Sequence, residues 1–88
     1  MTTSIIVSKI DAGYSVRSVA PNEGHRCAIA GHSPDAIDAA AALATYYVLA
    51  YGVTGRGGWS LIAQPEVMRL IPESYRTDPV SIFPGELQ

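Results

Sequence analysis

Three side chains that commonly bind metals lie close together in the sequence. His25, Cys27 and His32 form the pattern H-x-C-x4-H, and a thiolate with two imidazoles is a donor set that zinc accepts. A structural zinc site is usually closed by four ligands, and Asp35 is the nearest candidate for the fourth. Because the chain has no second cysteine, we favour a buried core cysteine with two histidines near turns.

The same residues raise the question of nucleophilic catalysis. A Cys–His pair needs an exposed, activated thiolate and a group that orients the base. The sequence offers no such third residue, and Ser33, next to His32, is better explained as a helix cap. We therefore predict that the protein is not an enzyme and needs no cofactor. A small metal-binding or catalytic protein that uses His25, Cys27 and His32 stays open as the alternative.

Two further groups of residues could bind anions. The glycine-rich loop Gly55–Gly58 contains Arg56 and could form a backbone nest, but no G-K-[ST] follows it, so we interpret it as a connector. Lys9, Arg17 and Arg26 could line one face of a sheet and form a modest basic face. Ordinary solvated strands look the same, and the pattern lacks interleaved aromatic residues.

Composition restricts the function further. The chain has 88 residues, with 6 basic and 8 acidic side chains and a net charge of −2, which argues against a general nucleic-acid binder. Apolar residues make up 48%, so we expect one folded domain over residues 1–88. The N-terminus lacks the features of a signal peptide, and the longest apolar stretch, residues 39–53, is shorter than the ~20 residues of a membrane span. We expect a cytoplasmic protein.

The first third of the chain has the pattern of three strands. The runs Thr3–Ile10, Tyr14–Ala20 and His25–Ala30 are joined by short turns, which predicts an antiparallel meander. Alternation along the strands assigns four residues to the buried face: Tyr14, Val16, Cys27 and Ile29.

The clearest signal is a long helix that is apolar nearly all round. Ser33 is a good N-cap, Pro34 suits the first helical position, and the helical pattern runs through Tyr51 to Gly52, a natural residue to follow a helix. From Ala36 to Tyr51, polar residues occur at two positions alone, so the helix must be covered on more than one side. The cover could be the segment 59–71, a second copy of the chain, or a different partner.

The remaining chain predicts shorter elements. Residues 59–63 fit a fourth strand, residues 65–71 a short helix, and residues 74–88 an extended tail. The expected architecture is therefore α+β: an antiparallel three- to four-stranded meander packed against one long apolar helix, with a short C-terminal helix and an extended tail. The β-β-β-α core would occupy residues 3–52.

Residues 3–51 resemble the β-β-β-α part of HicB-type antitoxins. The resemblance lies in Gly13-Tyr14-Ser15-Val16, in the proline- and glycine-containing loop of residues 20–27, and in the entry to the alanine-rich helix at residues 31–36. It implies a scaffold that dimerises and blocks a partner protein. Residues 53–88 show neither of the DNA-binding parts usual in that family, a helix-turn-helix or a ribbon-helix-helix. RNA binding is not implied either, because acidic residues stand where the related double-stranded RNA-binding domain has basic ones.

These observations lead to a functional expectation. We expect the chain to be a small protein-binding module that inhibits a toxin, a nuclease or a subunit of a defence complex by occlusion, as an antitoxin or a phage-encoded anti-CRISPR protein would. The expected contact residues are of types enriched in interface hot spots: Tyr46, Tyr51, Arg56 and Trp59. Trp59 could instead belong to the core. A structural homodimer is a further alternative, and nucleic-acid or membrane partners are not expected.

Overall fold

The computed structural model describes residues 3–19, 24–53 and 58–76, and its architecture is α+β, as predicted. The elements in chain order are β1 (Thr3–Ile10), β2 (Gly13–Val19), β3 (Gly24–Ala30), α1 (Pro34–Tyr47), a π-helical turn (Val48–Gly52), β4 (Trp59–Ile62), α2 (Pro65–Met68) and α3 (Glu73–Arg76). The first three strands and the start of the helix lie within a residue of their predicted positions.

The four strands form one mixed sheet in the order β3-β2-β1-β4. β2 pairs antiparallel with both β1 and β3, as the short turns predicted. β4 pairs parallel with β1, so the purely antiparallel sheet that we expected is wrong in its fourth strand. The reason is the connection: α1 carries the chain from β3 back across the sheet, and such a crossover delivers the next strand in the parallel direction.

The turn between β1 and β2 requires glycine at position 13. Gly13 has φ +153°, and a Cβ atom there would lie 1.9 Å from the carbonyl oxygen of Ile29 in β3. The close approach continues at Gly31, whose N–H donates to the carbonyl of Ala12 at 2.7 Å. The turn is thus locked against the end of β3, where the chain leaves the sheet for α1.

The core lies between one face of the sheet and α1. Side chains alternate along the strands, so that Ile5, Val7, Tyr14, Val16 and Leu61 are buried on the helix-facing side. The facing helix positions are mostly alanines, which let α1 lie close to the sheet. Val67 and Ile71, which follow β4 in the chain, are also buried in this core. The segment 59–71 therefore covers part of the helix, which was one of the three covers we considered.

Helix α1 begins as its sequence predicts. The N–H of Ala36 donates to Oγ of Ser33 at 3.2 Å, and Pro34 follows the cap directly. Among the described helices, none is both long enough and apolar enough to cross a membrane.

The end of the long helix differs from the prediction. The N–H of Val53 donates to the carbonyl of Val48 at 2.8 Å, so the last turn is a π-helix that includes Gly52 instead of stopping before it. Gly52 is needed for close packing rather than for a left-handed conformation. A Cβ atom there would lie 2.9 Å from Cβ of Trp59.

The C-terminal part is more helical than predicted. α2 ends at Met68 rather than Ile71, and α3 occupies Glu73–Arg76, where we expected extended chain to begin at Ser74. The guanidinium of Arg76 donates from Nε to the carbonyl of Ile71 at 3.0 Å, which holds α3 against the preceding turn. The rest of the predicted tail, residues 77–88, lies outside the described residues.

Candidate protein-interaction surface

The outer side of the long helix carries exposed apolar residues at regular spacing. Tyr46 is 57% exposed, Leu49 46% and Val53 51%. Ala39 and Ala42 are exposed on the preceding turns, so the five positions follow one another at steps of three and four residues. In an α-helix, residues spaced in this way lie on one side, and here Leu49 and Val53 continue the series on and just after the π-helical turn. We call residues 39, 42, 46, 49 and 53 the outer stripe.

The sheet and α2 cover other sides of the helix and leave the outer stripe exposed. The sheet buries the opposite side, represented by Ala40, Ala44 and Val48. α2 packs against α1, and the groove between them is lined by residues from the N-terminal half of α1. The charged residues of α1 are Asp35 and Asp38, which are exposed near its N-terminus. The surface is therefore acidic at one end and apolar at the other.

A cluster of aromatic rings supports the apolar end. Tyr47 and Tyr51 lie edge to face at 5.4 Å, and the exposed Tyr46 lies 6.0 Å from Tyr47 and 6.5 Å from Tyr51 between ring centroids. Tyr51 is half-buried and stacks on His25 of β3. Burial raises the pKa of Tyr47, and the neighbouring Cys27 thiol and the other tyrosines add to this shift. These contacts set the position from which Tyr46 projects.

The four predicted contact residues do not form one described surface. Tyr46 lies on the outer stripe, and Tyr51 lies in the aromatic cluster beneath it. Trp59 is half-buried, packs against the core and donates from Nε1 to the carbonyl of Tyr75 at 3.2 Å. Arg56 lies outside the described residues, as does most of the glycine-rich loop around it.

Leu49 and Val53 were missed by the sequence reasoning. The sequence showed a helix that is apolar nearly all round, which did not distinguish the exposed side from the sides that face the sheet and α2. The signal that could have found the outer stripe is its own spacing of three and four residues.

The predicted basic face is split between the two sides of the sheet. Arg17 and Arg26 are cross-strand partners, and both are exposed on the side away from α1. Lys9 is the cross-strand partner of Tyr14, so its side chain belongs to the helix-facing side, and the prediction is wrong for this residue. The reason is the pairing register, because directly opposite residues of two strands point to the same face.

Cys27 is exposed, whereas we predicted it to be buried. The predicted strand face of Cys27 is correct, because its cross-strand partner is the fully buried Val16. The burial differs because β3 is an edge strand and α1 packs mainly over β2. The helix-facing side of β3 is therefore only partly covered.

The two histidines are used in separate contacts. Nε2 of His32 lies 2.7 Å from the carbonyl oxygen of Ile10 and 3.1 Å from that of Gly13, where it joins the β1–β2 turn to the start of α1. His25 stacks on Tyr51 at the other end of β3. Within the described ranges, no three or more His, Cys, Asp or Glu side chains are grouped so that they could hold a metal ion.

An open groove of about 390 Å³ lies between α1 and α2. Its lining combines apolar and charged residues: Pro34, Ile37, Asp38, Glu66, Arg69 and Leu70. Next to it, the hydroxyl of the buried Tyr14 donates to Oε2 of Glu66 at 3.1 Å. The pKa of Glu66 is lowered, first by a hydrogen bond from its own backbone N–H and then by the Tyr14 hydroxyl and the charges of Lys9 and Arg69.

Comparisons with known proteins add no family to this description: no protein-family model, curated protein or solved structure matches the chain. The resemblance of residues 3–51 to HicB-type antitoxins therefore stays a prediction.

Proposed function

We propose that the protein is a non-enzymatic binding module that inhibits a partner protein by occluding its working surface. The observation that supports this proposal best is the outer stripe. Three large apolar side chains, Tyr46 on α1, Leu49 on the π-helical turn and Val53 directly after it, are each about half exposed. Amphipathic helices dock into apolar grooves through residues at this spacing.

The charge of α1 favours one class of partner. Asp35 and Asp38 stand at the N-terminal end of the same helix, which contains no basic residue, while Arg69 lies in the groove beside Asp38. The complementary surface is an apolar groove with a basic rim at one end. Nucleic-acid clefts carry such positive charge, so a nuclease, including a nuclease toxin or a nuclease subunit of a defence complex, is the partner we propose.

The test compares capture by the wild-type chain with capture by Leu49→Asp. Leu49 is exposed, so the substitution places a charge in the stripe without disturbing the core. Val19→Asp is the matched control, because Val19 is 47% exposed and lies on β2, away from the helix. We expect one protein from the host cell to be retained by the wild type and by Val19→Asp but not by Leu49→Asp.

The captured protein is then purified and its activity titrated with the wild-type chain. A nuclease activity that falls to background at a fixed molar ratio, and that Leu49→Asp does not suppress, would support the proposal. A captured protein whose activity is unchanged, or capture that is equal for all three chains, would contradict it.

A further inference from the structure

β3 is a long edge strand that carries a single charged residue, Arg26, as protection against pairing. Among the strands that the structure describes, none lies beyond it. It pairs with β2 over seven consecutive residues, with no bulge in the register. It contains no proline or lysine, whereas natural edges are commonly blunted by such residues, by bulges or by shortness. The opposite edge strand, β4, has four residues.

The helix-facing side of β3 carries His25, Cys27 and Ile29 and is incompletely covered beyond His25. Cys27 is exposed and Ile29 is half-buried, although their cross-strand partners Val16 and Tyr14 are buried almost completely. The apolar layer of the sheet thus extends beyond the cover that α1 supplies. A strand added along β3 would continue this layer and form backbone hydrogen bonds along the edge.

We propose that the added strand is β3 of a second copy, paired antiparallel about a two-fold axis at Cys27. Cys27 is the middle residue of the seven-residue strand Gly24–Ala30, so this register pairs every residue of both strands. Cys27 lies opposite Cys27 of the partner subunit, His25 opposite Ile29 of the partner subunit, and Arg26 opposite Ala28 of the partner subunit. Both copies of α1 then lie on the same side of one eight-stranded sheet.

The competing registers are less favourable. A shift of the axis by half a residue would place side chains of the helix-facing side opposite side chains of the open side, because opposed residues share a face. A shift of the axis by one residue to Arg26 leaves only residues 24–28 paired and sets two arginines directly opposite each other. In the proposed register the two Arg26 residues lie on a diagonal, roughly 7–8 Å apart.

The central cysteines report on this register. Directly opposite residues of antiparallel strands have Cα atoms about 4.5 or 5.5 Å apart, which is within the range of about 4.4–6.8 Å found in disulfides. Oxidation by diamide therefore joins the two Cys27 side chains. Each thiol gives up one proton and one electron, a sulfur–sulfur bond forms, and diamide takes up both protons and both electrons to become its hydrazine.

The first experiment compares two single-cysteine chains. The wild type is expected to form a diamide-induced covalent dimer at least about tenfold faster than the double variant Cys27→Ser, Ala28→Cys, whose thiol lies on the same strand but opposite Arg26 of the partner subunit. Rates are read from non-reducing gels. Equal rates for the two chains would overturn the proposed register.

The second experiment measures association without any disulfide, by sedimentation in reducing buffer. The control Cys27→Ser is expected to remain a dimer, because it keeps a small neutral side chain at the axis. Cys27→Lys opposes two like charges there and is expected to weaken the dimer by more than about tenfold. Circular dichroism shows whether the variant is folded, which we expect because position 27 is exposed. A wild type or Cys27→Ser that is monomeric at every soluble concentration would overturn the proposal.

The proposed dimer and the proposed inhibitory function can be refuted independently of each other. The pairing uses the outer edge of β3, whereas partner binding uses the outer stripe of the helix. A monomeric chain that still captures and inhibits its partner would overturn the dimer alone. A dimer that captures nothing would contradict the proposed function alone.

Discussion

The imidazole ring of His25 and the phenol ring of Tyr51 are stacked face to face, with centroids 4.1 Å apart and planes 6° from parallel. The contact joins the edge strand β3 to the π-helical turn at the far end of the long helix. Here the ring of Tyr51 covers part of the helix-facing side of β3, and Tyr51 in turn contacts Tyr46 and Tyr47.

A double-mutant cycle measures this stacked pair. We expect His25→Ala and Tyr51→Ala each to lower the free energy of unfolding, and the double variant to lower it by less than the sum. The expected coupling is about 0.5–1.5 kcal/mol, the range measured for aromatic pairs beyond their buried area. Urea unfolding gives the four values. Additive effects would show that the two rings do not stabilise each other.

Gly52→Ala tests the close packing of the π-helical turn against β4. Helix propensity alone predicts that replacing glycine by alanine stabilises a helix by about 0.5–1 kcal/mol. Because a Cβ atom at position 52 would lie 2.9 Å from Cβ of Trp59, we expect destabilisation instead, by roughly 1–3 kcal/mol.

The readouts for Gly52→Ala are the urea midpoint and the fluorescence of Trp59, whose surroundings must shift. Ala42→Gly, at an exposed helix position, serves as the control and measures propensity alone. A Gly52→Ala chain that is more stable than the wild type, with unchanged emission, would refute the steric argument.

Arg17→Thr tests the pairing of two like charges across β2 and β3. Arg17 and Arg26 are direct cross-strand partners, and such pairs are destabilising by about 0.2–1 kcal/mol. We expect the variant to gain stability in this range, and the gain to shrink as salt screens the charges. Thermal unfolding at low and high salt, at a protein concentration that keeps the chain monomeric, gives the comparison.

Lys9→Thr is the charge-matched control for Arg17→Thr. Lys9 lies on the other side of the sheet, where its charge is attracted to Glu66, so its removal should bring no gain. If both variants gain equally, the effect reflects net charge rather than the cross-strand pair.

Local signals in the sequence were sufficient for most of the fold. The β-branched run of β1, the glycine at the first turn and the Ser33-Pro34 cap each act over a few residues, and the corresponding elements appear where they were predicted. The parallel pairing of β4 could not be predicted in this way. It depends on where the crossover helix returns the chain, which is a property of the whole fold.

The candidate surface was harder to predict than the fold. In a helix that lacks a polar face, periodicity does not show which side meets the sheet, so Leu49 and Val53 were overlooked. Cys27 was assigned to the correct face of its strand, but its exposure depends on the lateral position of α1 over the sheet. Alternation along a single strand carries no information about that position.

Acid should weaken the protein through Glu66. The pKa of this carboxyl is lowered from its ordinary 4.5 by its own backbone N–H, by the hydroxyl of Tyr14 and by Lys9 and Arg69, and the unfolded chain lacks these contacts. Between the ordinary and the lowered pKa of Glu66, the unfolded state therefore binds more protons than the folded state. The stability that Glu66 contributes is fully present above about pH 5 and is lost as the pH falls through the lowered pKa.

Glu66→Gln removes this titration, so its free energy of unfolding should fall less steeply than that of the wild type between about pH 5 and pH 3. Tyr14→Phe removes only the hydroxyl and should give an intermediate slope, because the backbone N–H and the basic side chains still act on the carboxylate. Urea unfolding at several pH values gives the slopes. Identical slopes for the wild type and Glu66→Gln would mean that the contacts around Glu66 do not favour its charged form in the folded protein.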